Sequence, residues 1–297
     1  MILGGDHWTV QFPPLKTFCR LDVPNSSCSF EGMIRLHVLG AGGAVPTASH
    51  GPAAYWVEID GQGLLLDPGP GALVRLLRQP GTVDEIDAIN TVLLSHLHLD
   101  HTADLAPLLF AMHSVLARST TTLHLYGPPG TADFLAQLKD LYGTWLTPHG
   151  RALVLDEVSP GSVIELSGGG RAVAHAAAHE ESNFGAPCLG WTFQDSQGAR
   201  LVYSGDTGPC EDLTTAARGC DLLLVECTTP DDLAVAGHLA PEMIVELVRN
   251  THPRRVVLTH LYPLVVNQAP ELAVTAATEI PCTAARDGDT FTVEIES

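Results

Sequence analysis

The chain has 297 residues, 45% of them hydrophobic, which is a globular composition with enough length for a sizeable core. Its 34 acidic and 15 basic residues give a formal net charge of −19, which disfavours long-range attraction to nucleic acid. No apolar run approaches the roughly 18 residues of a membrane-spanning helix, and the N-terminal stretch lacks the pattern of a secretory signal, so we expect a cytoplasmic protein.

The chain begins with an irregular stretch, residues 1–32, that contains Gly-Gly and Pro-Pro pairs and a polar Asn-Ser-Ser patch. We interpret this stretch as an N-terminal extension of one domain that spans residues 33–297. An apolar strand-like run over 34–39 and a glycine-rich turn at 40–43 open that domain.

Beyond this turn, short β-like runs alternate with helical stretches, which predicts sheets covered by helices in a single domain. The predicted strands are 55–59, 64–66, 91–94, 122–126, 153–156, 172–177, 189–193, 201–203, 222–225 and 256–258. The predicted helices are 71–78, 103–117, 131–141, 241–250 and 270–278. Pro241 suits a first helical position, and the three glycines at 168–170 predict a hairpin turn between two strands.

The strongest chemical signal is an H-x-H-x-D-H pattern over residues 96–101, directly after the apolar run 91–94. Its four side chains that can bind a metal are His96, His98, Asp100 and His101. The first two are two residues apart and point the same way in an extended segment, whereas the adjacent last two can diverge toward a second ion. Imidazole and carboxylate together suit zinc, iron or manganese.

This pattern after a buried strand resembles the signature of the metallo-β-lactamase superfamily, and further similar motifs follow that family's order. Residues 64–69 (LLLDPG) are similar to its first motif, and 201–208 (LVYSGDTG) to the segment with its metal-bridging aspartate. Residues 257–262 (VLTHLY) are similar to its final histidine motif. The resemblance covers roughly 33–297 and implies an α/β fold, an αββα sandwich of two mixed β-sheets flanked by helices.

The resemblance also implies two divalent metal ions, with zinc the first choice and manganese or iron the alternatives. A first ion would be held by His96, His98 and a later histidine, a second by Asp100, His101 and His260, with Asp206 bridging both. A water or hydroxide between the ions would be the nucleophile, and Asp100 would orient it or accept its proton. Asp67 would lie behind the site and support a ligand by hydrogen bonding.

Two histidines compete for the remaining position, His175 and His179. We favour His179, because it falls where the strand ends and the polar residues 180–183 begin, whereas His175 lies inside the strand-like run. The gap from His179 to Gly190 is longer than the family usually shows, which predicts an inserted loop beside the pocket.

Two further motifs resemble the ribonuclease Z-like branch of the superfamily: 223–228 (LLVECT) and 237–242 (GHLAPE). In that branch a glutamate of the first motif bonds a histidine of the second, which here implies Glu226 and His238. The histidine faces the leaving group, and donating a proton to a departing alkoxide lowers the barrier. The carboxylate keeps the imidazole oriented and protonated.

Two departures from ribonuclease Z-like enzymes bear on the substrate. Residues 45–54 lack the expected arginine, and residues 141–148 pass to the next strand without the long basic arm that grips RNA. Together with the charge, this favours hydrolysis of a small-molecule phosphodiester. The alternatives are a carboxylic ester, lactone, thioester or sulfate ester, a tRNA 3′-processing endonuclease, and a non-catalytic metal-binding module. No membrane partner is expected, and the resemblance leaves a homodimer open.

Overall fold

Two seven-stranded β-sheets form the centre of the computed structural model, which describes residues 32–179 and 187–295. The extension predicted at 1–32 lies outside the described residues except for Gly32, and so do 180–186. The division into an extension and one domain therefore stays a prediction. Within the described ranges, no helix is both long and apolar enough to cross a bilayer.

The first sheet has the strand order β14-β1-β2-β3-β4-β5-β6. Its strands are β1 (Ile34–Gly40), β2 (Ala54–Ile59), β3 (Gln62–Leu66), β4 (Thr91–Leu93), β5 (Leu123–Gly127), β6 (Leu153–Glu157) and β14 (Thr290–Val293). Antiparallel pairing joins β14, β1, β2 and β3, and parallel pairing joins β3 to β6. The sheet is therefore mixed.

The second sheet has the order β13-β12-β11-β10-β9-β8-β7. Its strands are β7 (Val163–Glu165), β8 (Arg171–Ala177), β9 (Cys188–Gln194), β10 (Arg200–Tyr203), β11 (Leu222–Glu226), β12 (Val256–Thr259) and β13 (Cys282–Ala284). Pairing is parallel from β10 to β13 and antiparallel from β7 to β10. The hairpin turn predicted at 168–170 joins β7 to β8.

Helices cover the outer faces of both sheets. They are α1 (Ala72–Arg78), α2 (Leu99–Thr102), α3 (Leu105–His113), α4 (Thr131–Tyr142), α5 (Glu211–Ala217), α6 (Pro241–Thr251), α7 (Pro263–Val266) and α8 (Pro270–Thr278). One buried cluster, including Leu36, Tyr55 and Trp191, lies between the sheets, and two others join each sheet to its helices. Burial of each such large side chain stabilises the fold by about 1.5–3 kcal/mol. The predicted αββα sandwich is confirmed.

All of the predicted strands and helices occur, with shifted ends. The sequence did not predict the short strands β7, β13 and β14 or the helices α2, α5 and α7. Most of these elements have only three or four residues, too few for a hydrophobic period to show. The longer α5 reads EDLTTAA and buries only Leu213 and Ala217, so its apolar stripe is narrow.

Candidate metal centre

The candidate site lies where parallel strands of both sheets end. Asp67 follows β3, Asp206 follows β10, Glu226 closes β11 and His260 follows β12. Because the carboxyl ends of parallel strands meet at one edge of a sheet, these residues reach the same crevice. The H-x-H-x-D-H segment enters from the loop after β4, and its last residues form the short helix α2.

Two of these residues have unusual backbone angles. Asp67 has φ +48° and His260 has φ +53°, in the left-handed region that aspartate and histidine tolerate better than most residues. Gly43 passes so close to His260 that an added Cβ would lie 2.6 Å from its Cε1 atom. Backbone in such conformations clusters at functional sites, where the surrounding structure holds it in place.

A fully buried carboxylate, Asp67, anchors the first histidine segment. It accepts hydrogen bonds from Ser95 N and Ser95 Oγ, both at 2.7 Å, and from the Tyr203 hydroxyl at 2.8 Å. His101 Nδ1 lies 3.0 Å from the same carboxylate. Burial and the neighbouring Asp67 raise the pKa of Tyr203, so its hydroxyl stays a donor. This arrangement supports His101 in the manner that the sequence predicts for Asp67.

The first group of potential ligands consists of His96, His98, His179 and Asp206, whose ligand atoms lie within 4.8 Å of one another. His98 Nδ1 is 3.0 Å from His96 Nε2 and 3.2 Å from His179 Nε2. Three imidazole nitrogens therefore converge on one point, and a cation there would accept all three lone pairs.

In two of these rings, His96 and His179, a hydrogen bond at Nδ1 explains why Nε2 faces inward. The Ser95 hydroxyl donates to Asp67, so it can accept from His96 Nδ1 at 3.0 Å. His179 Nδ1 donates to the carbonyl of Gly237 at 2.8 Å. Each bond fixes the tautomer that leaves Nε2 unprotonated, which is the form that binds a metal.

The second group consists of Asp100, His101 and His260, also with ligand atoms within 4.8 Å of one another. His260 Nε2 lies 3.4 Å from Asp100 Oδ2, and His101 Nε2 lies 3.8 Å from it. Hydrogen bonding to His260 and the charge of His101 outweigh burial and lower the pKa of Asp100, so this carboxylate is ionised. The set of one carboxylate and two imidazoles suits a divalent ion.

Asp206 lies between the two groups. Its Oδ1 atom is 3.3 Å from His101 Nε2, and its Oδ2 atom is 3.2 Å from His260 Nε2 and 3.7 Å from His96 Nε2. Burial opposes its charge, but the surrounding histidines hold the pKa of Asp206 well below its usual range. Asp206 Oδ1 and His101 Nε2 are buried with no hydrogen-bond partner. These orphaned atoms fit a cation between them.

The two histidines that compete for the remaining ligand position lie in different surroundings. His179 belongs to the first group, whereas His175 belongs to none of the groups found among the described residues. The His175 ring is buried over Gly190, where an added Cβ would lie 2.1 Å from its Nε2 atom. The geometry thus favours the predicted His179, and the assignment of metal ligands stays a prediction.

Glu226 and His238 form the pair that the sequence predicts. His238 Nδ1 lies 3.1 Å from both oxygens of Glu226, which is fully buried. The ring also belongs to a third group with Asp206 and His260, so it lies against the ligand cluster. Burial lowers the pKa of His238, but the hydrogen bond and charge of Glu226 raise it above the usual value.

Sequence reasoning missed Thr228, whose hydroxyl joins this pair to the predicted ligand His260. It donates to Glu226 Oε2 and lies 2.9 Å from His260 Nδ1 and 3.3 Å from His238 Nδ1. The only available signal was its place in the strand-end segment LLVECT, two residues after Glu226. A threonine at such a position is common without any function.

A cavity of about 230 Å³ opens onto the ligand cluster. Its outer wall is apolar or aromatic, with Ala44, Val235, Ala236 and Tyr262. Among the described residues that line it, none is lysine or arginine. A small substrate group fits this volume, and its charge would be met by the ligand cluster and His238 rather than by a basic wall.

The family model of the beta-lactamase superfamily domain matches residues 63–261, which include every predicted ligand. The chain belongs to this superfamily. Among its relatives, ribonuclease Z of Methanosarcina mazei is 27% identical over 77% of this chain and 88% of its own length. This similarity confirms the resemblance to the ribonuclease Z-like branch and shows the chain to be a hydrolase of the metallo-β-lactamase fold.

Solved structures of the superfamily share the whole described architecture. The metallo-beta-lactamase fold protein YhfI from Bacillus subtilis has a TM-score of 0.74 and 21% identity, and covers 88% of this chain and 99% of its own. The short form of human tRNase Z has a TM-score of 0.69 and 22% identity over 88% and 100%. A diphosphatase from the PhnP family has a TM-score of 0.64 and 19% identity over 89% and 98%. At these low sequence identities, the similarity shows a shared fold and not a shared function.

Proposed function

We propose that the protein hydrolyses small-molecule phosphodiesters. The observation that carries this proposal is the Glu226–His238 pair beside the ligand cluster, with His238 Nδ1 held 3.1 Å from the carboxylate. Hydrolysis of a diester expels an alkoxide, a poor leaving group that needs a proton. Bonds with better leaving groups, such as thioesters, need no such donor.

The residues present fit two divalent ions, with zinc the first choice for this set of imidazoles and carboxylates. His96, His98 and His179 would hold one ion, Asp100, His101 and His260 the other, and Asp206 would contact both. Bound there, the ions would supply a water of lowered pKa and a counter-charge for the phosphoryl oxygens.

The chain's own side chains would handle the protons. Asp100 is ionised and 15% exposed at its side chain, so it is available to accept a proton from an attacking water. The raised pKa of His238 favours the protonated ring, whose Nε2–H would be donated to the leaving oxygen. Glu226 would stabilise the imidazolium without itself touching the substrate.

The comparisons support phosphoester chemistry. The size of the substrate is inferred from the cavity at the site. The relatives include ribonuclease Z, and the structural neighbours include a diphosphatase. The second candidate is therefore tRNA 3′ processing, which the ribonuclease Z relative favours. The cavity volume of about 230 Å³, and a described lining without lysine or arginine, favour the small molecule.

The test compares two phosphodiesters that differ only in the leaving group, a nitrophenolate and a simple alkoxide. For the zinc-loaded protein, we expect His238→Ala to reduce kcat/KM about 10²–10⁴-fold for the alkoxide and much less for the nitrophenolate. His149→Ala is the matched control, because His149 is exposed and outside the site.

An equal loss of kcat/KM for both diesters would show that His238 does not act as the acid. Turnover of only a carboxylic ester, lactone, thioester or sulfate ester by the wild-type protein would reject the phosphodiester assignment. Absence of turnover on every substrate, with both metals bound, would favour the non-catalytic module.

A further inference from the structure

A second cavity, of about 500 Å³, opens beside the metal centre. It shares the lining residues Ala44 and Asp100 with the smaller cavity over the ligands, so the two cavities adjoin. Its walls come from the loop between β1 and β2 and from Leu99 at the start of α2. A substrate held at the metal centre can therefore extend into this space.

The loop wall is held in place by its own hydrogen bonds. Thr47 N donates to the carbonyl of His50, and Gly42 N donates to that of Gly51. The carboxylate of Asp287 accepts from Gly51 N at 2.8 Å and from Ala41 N at 3.0 Å. The cavity is therefore preformed on this side, which reduces the entropy lost when a ligand binds.

Apart from Asp100, the charged groups that line the cavity are engaged with one another. Arg75 donates to the carbonyls of Pro52 at 3.2 Å and Pro70 at 3.1 Å, and its Nε lies 3.9 Å from Asp287. Asp287 is in turn occupied by the loop amides. Both of the Arg75 hydrogen bonds come from Nη2, and the buried Nε atom has no hydrogen-bond partner, so an anionic ligand must be included in any test.

Most of the remaining side chains that line the cavity are apolar. Pro46, Ala48, Pro52 and Pro70 line it, and Leu99 is 75% exposed although it sits next to a predicted metal ligand. Covering such surface with an apolar group removes it from water, at a gain of about 25 cal/mol per Å². An anionic group would meet one cation there, the guanidinium of Arg75, among the described residues of the lining.

We propose that this cavity, lined by Pro46, Ala48, Pro52, Pro70 and Leu99, binds an uncharged apolar substituent of the substrate while the phosphoryl group lies on the metal centre. The inference names a substrate class for the function proposed above and rests on it for the identity of the reacting group. Binding can nevertheless be measured without turnover, so the two ideas can fail separately.

The test is calorimetric titration of the zinc-loaded protein with three phosphonates. Methylphosphonate occupies only the metal centre, butylphosphonate adds an apolar chain, and 3-phosphonopropanoate adds a carboxylate of similar reach. We expect butylphosphonate to bind about tenfold more tightly than methylphosphonate, because three additional methylene groups leave water. We expect 3-phosphonopropanoate to bind no more tightly than methylphosphonate.

Ala48→Lys places a cation in the cavity on an exposed loop position, and Ala136→Lys is the matched control on the exposed face of α4. The first variant should reduce the advantage of butylphosphonate below about threefold and increase the affinity for 3-phosphonopropanoate. The control variant, Ala136→Lys, should bind the three phosphonates in the same order of affinity as the wild-type protein. A merely structural defect would weaken all three probes and would not reverse their order.

Equal affinities for methyl- and butylphosphonate, or no binding of any probe, would overturn the inference. Tightest binding of 3-phosphonopropanoate to the wild-type protein would also overturn it and assign the cavity to anions through Arg75. A butylphosphonate preference in a protein that cleaves no phosphodiester would reject the proposed reaction and keep the apolar cavity.

Discussion

One hydroxyl group, that of Thr228, sets the tautomer of a predicted metal ligand. Because this hydroxyl donates to Glu226, it can only accept from His260 Nδ1, which lies 2.9 Å away. With Nδ1 held in this way, His260 Nε2, which lies 3.4 Å from Asp100 and 3.2 Å from Asp206, is the nitrogen whose proton a metal ion would replace. Thr228 thus connects the proposed acid pair to the metal centre through two hydrogen bonds.

We expect Thr228→Val to weaken binding of the metal at His260 about 10–100-fold, since loss of such a supporting partner frees the ring to turn. Competition with a chelator measures this affinity. Thr229→Val is the matched control, because the Thr229 hydroxyl is buried without a hydrogen-bond partner. Unchanged affinity in Thr228→Val would show that the ring is held by other contacts.

The raised pKa of His238 gives a second prediction at the residue level. A donor acid must be protonated, so kcat for a poor leaving group should fall as pH rises through this pKa. Glu226→Gln removes the charge and weakens the hydrogen bond that raise the pKa. We therefore expect the alkaline limb of the kcat profile to move to lower pH.

The measurement is kcat against pH for the alkoxide-releasing diester, with metal content determined at each end of the profile. Loss of metal would reduce kcat at every pH and would not displace the limb. An alkaline limb at the same pH in both proteins would mean that another group controls it.

At the level of elements, the end of β8 separates the two histidines between which the sequence favours His179. His175 and His179 are four residues apart, so a regular strand would point both the same way. The strand ends at Ala177, and Ala178 instead forms an isolated bridge with Gly208. This departure from the sheet turns His179 toward the ligand cluster and leaves His175 buried beside α5.

Burial also makes His175 a source of acid sensitivity. Loss of solvation lowers the pKa of His175 from 6.5 to about 4, and neither ring nitrogen has a hydrogen-bond partner. The unfolded chain therefore binds this proton more tightly than the folded protein does. Its contribution to stability is complete above pH 6.5 and is lost as pH falls toward 4.

We expect His175→Leu to reduce the loss of unfolding free energy between pH 6.5 and 4 by up to about 3 kcal/mol relative to wild type. Urea unfolding of the metal-free proteins across this range measures the difference. His149→Leu serves as the control for replacing a histidine at an exposed position. Parallel pH profiles for the wild type and His175→Leu would contradict the prediction.

At the scale of the whole molecule, the features that could be predicted from the sequence are those that contiguous motifs encode. The segment around His96 contains four potential metal-binding residues within six positions, and the strand-end motifs of Asp206 and His260 follow in a fixed order. The fold and the candidate ligands can therefore be predicted together from the sequence. The role of Thr228 could not be predicted from the sequence, because it depends on contacts between two strands and a distant loop. The apolar cavity could not be predicted either, because separate segments of the chain form its walls.

The surface charge of the molecule bears on the choice between RNA and a small substrate. The formal net charge is −19, and among the described residues lining the site cavity none is lysine or arginine. Helix α4 ends at Tyr142, and a short 3₁₀ turn, Gly143–Leu146, precedes β6 at Leu153. Within this described stretch there is no arm that could grip RNA.

We therefore expect the zinc-loaded protein to bind tRNA precursors with a dissociation constant weaker than about 1 µM at physiological salt, because phosphate contacts supply most non-specific affinity. Fluorescence polarisation with a labelled precursor measures binding, and gel analysis of the same samples measures 3′ cleavage. The short form of human tRNase Z is the positive control. Binding tighter than this limit with cleavage at one position would mean that the acidic surface is overcome by specific contacts, and would move the assignment to the ribonuclease Z alternative.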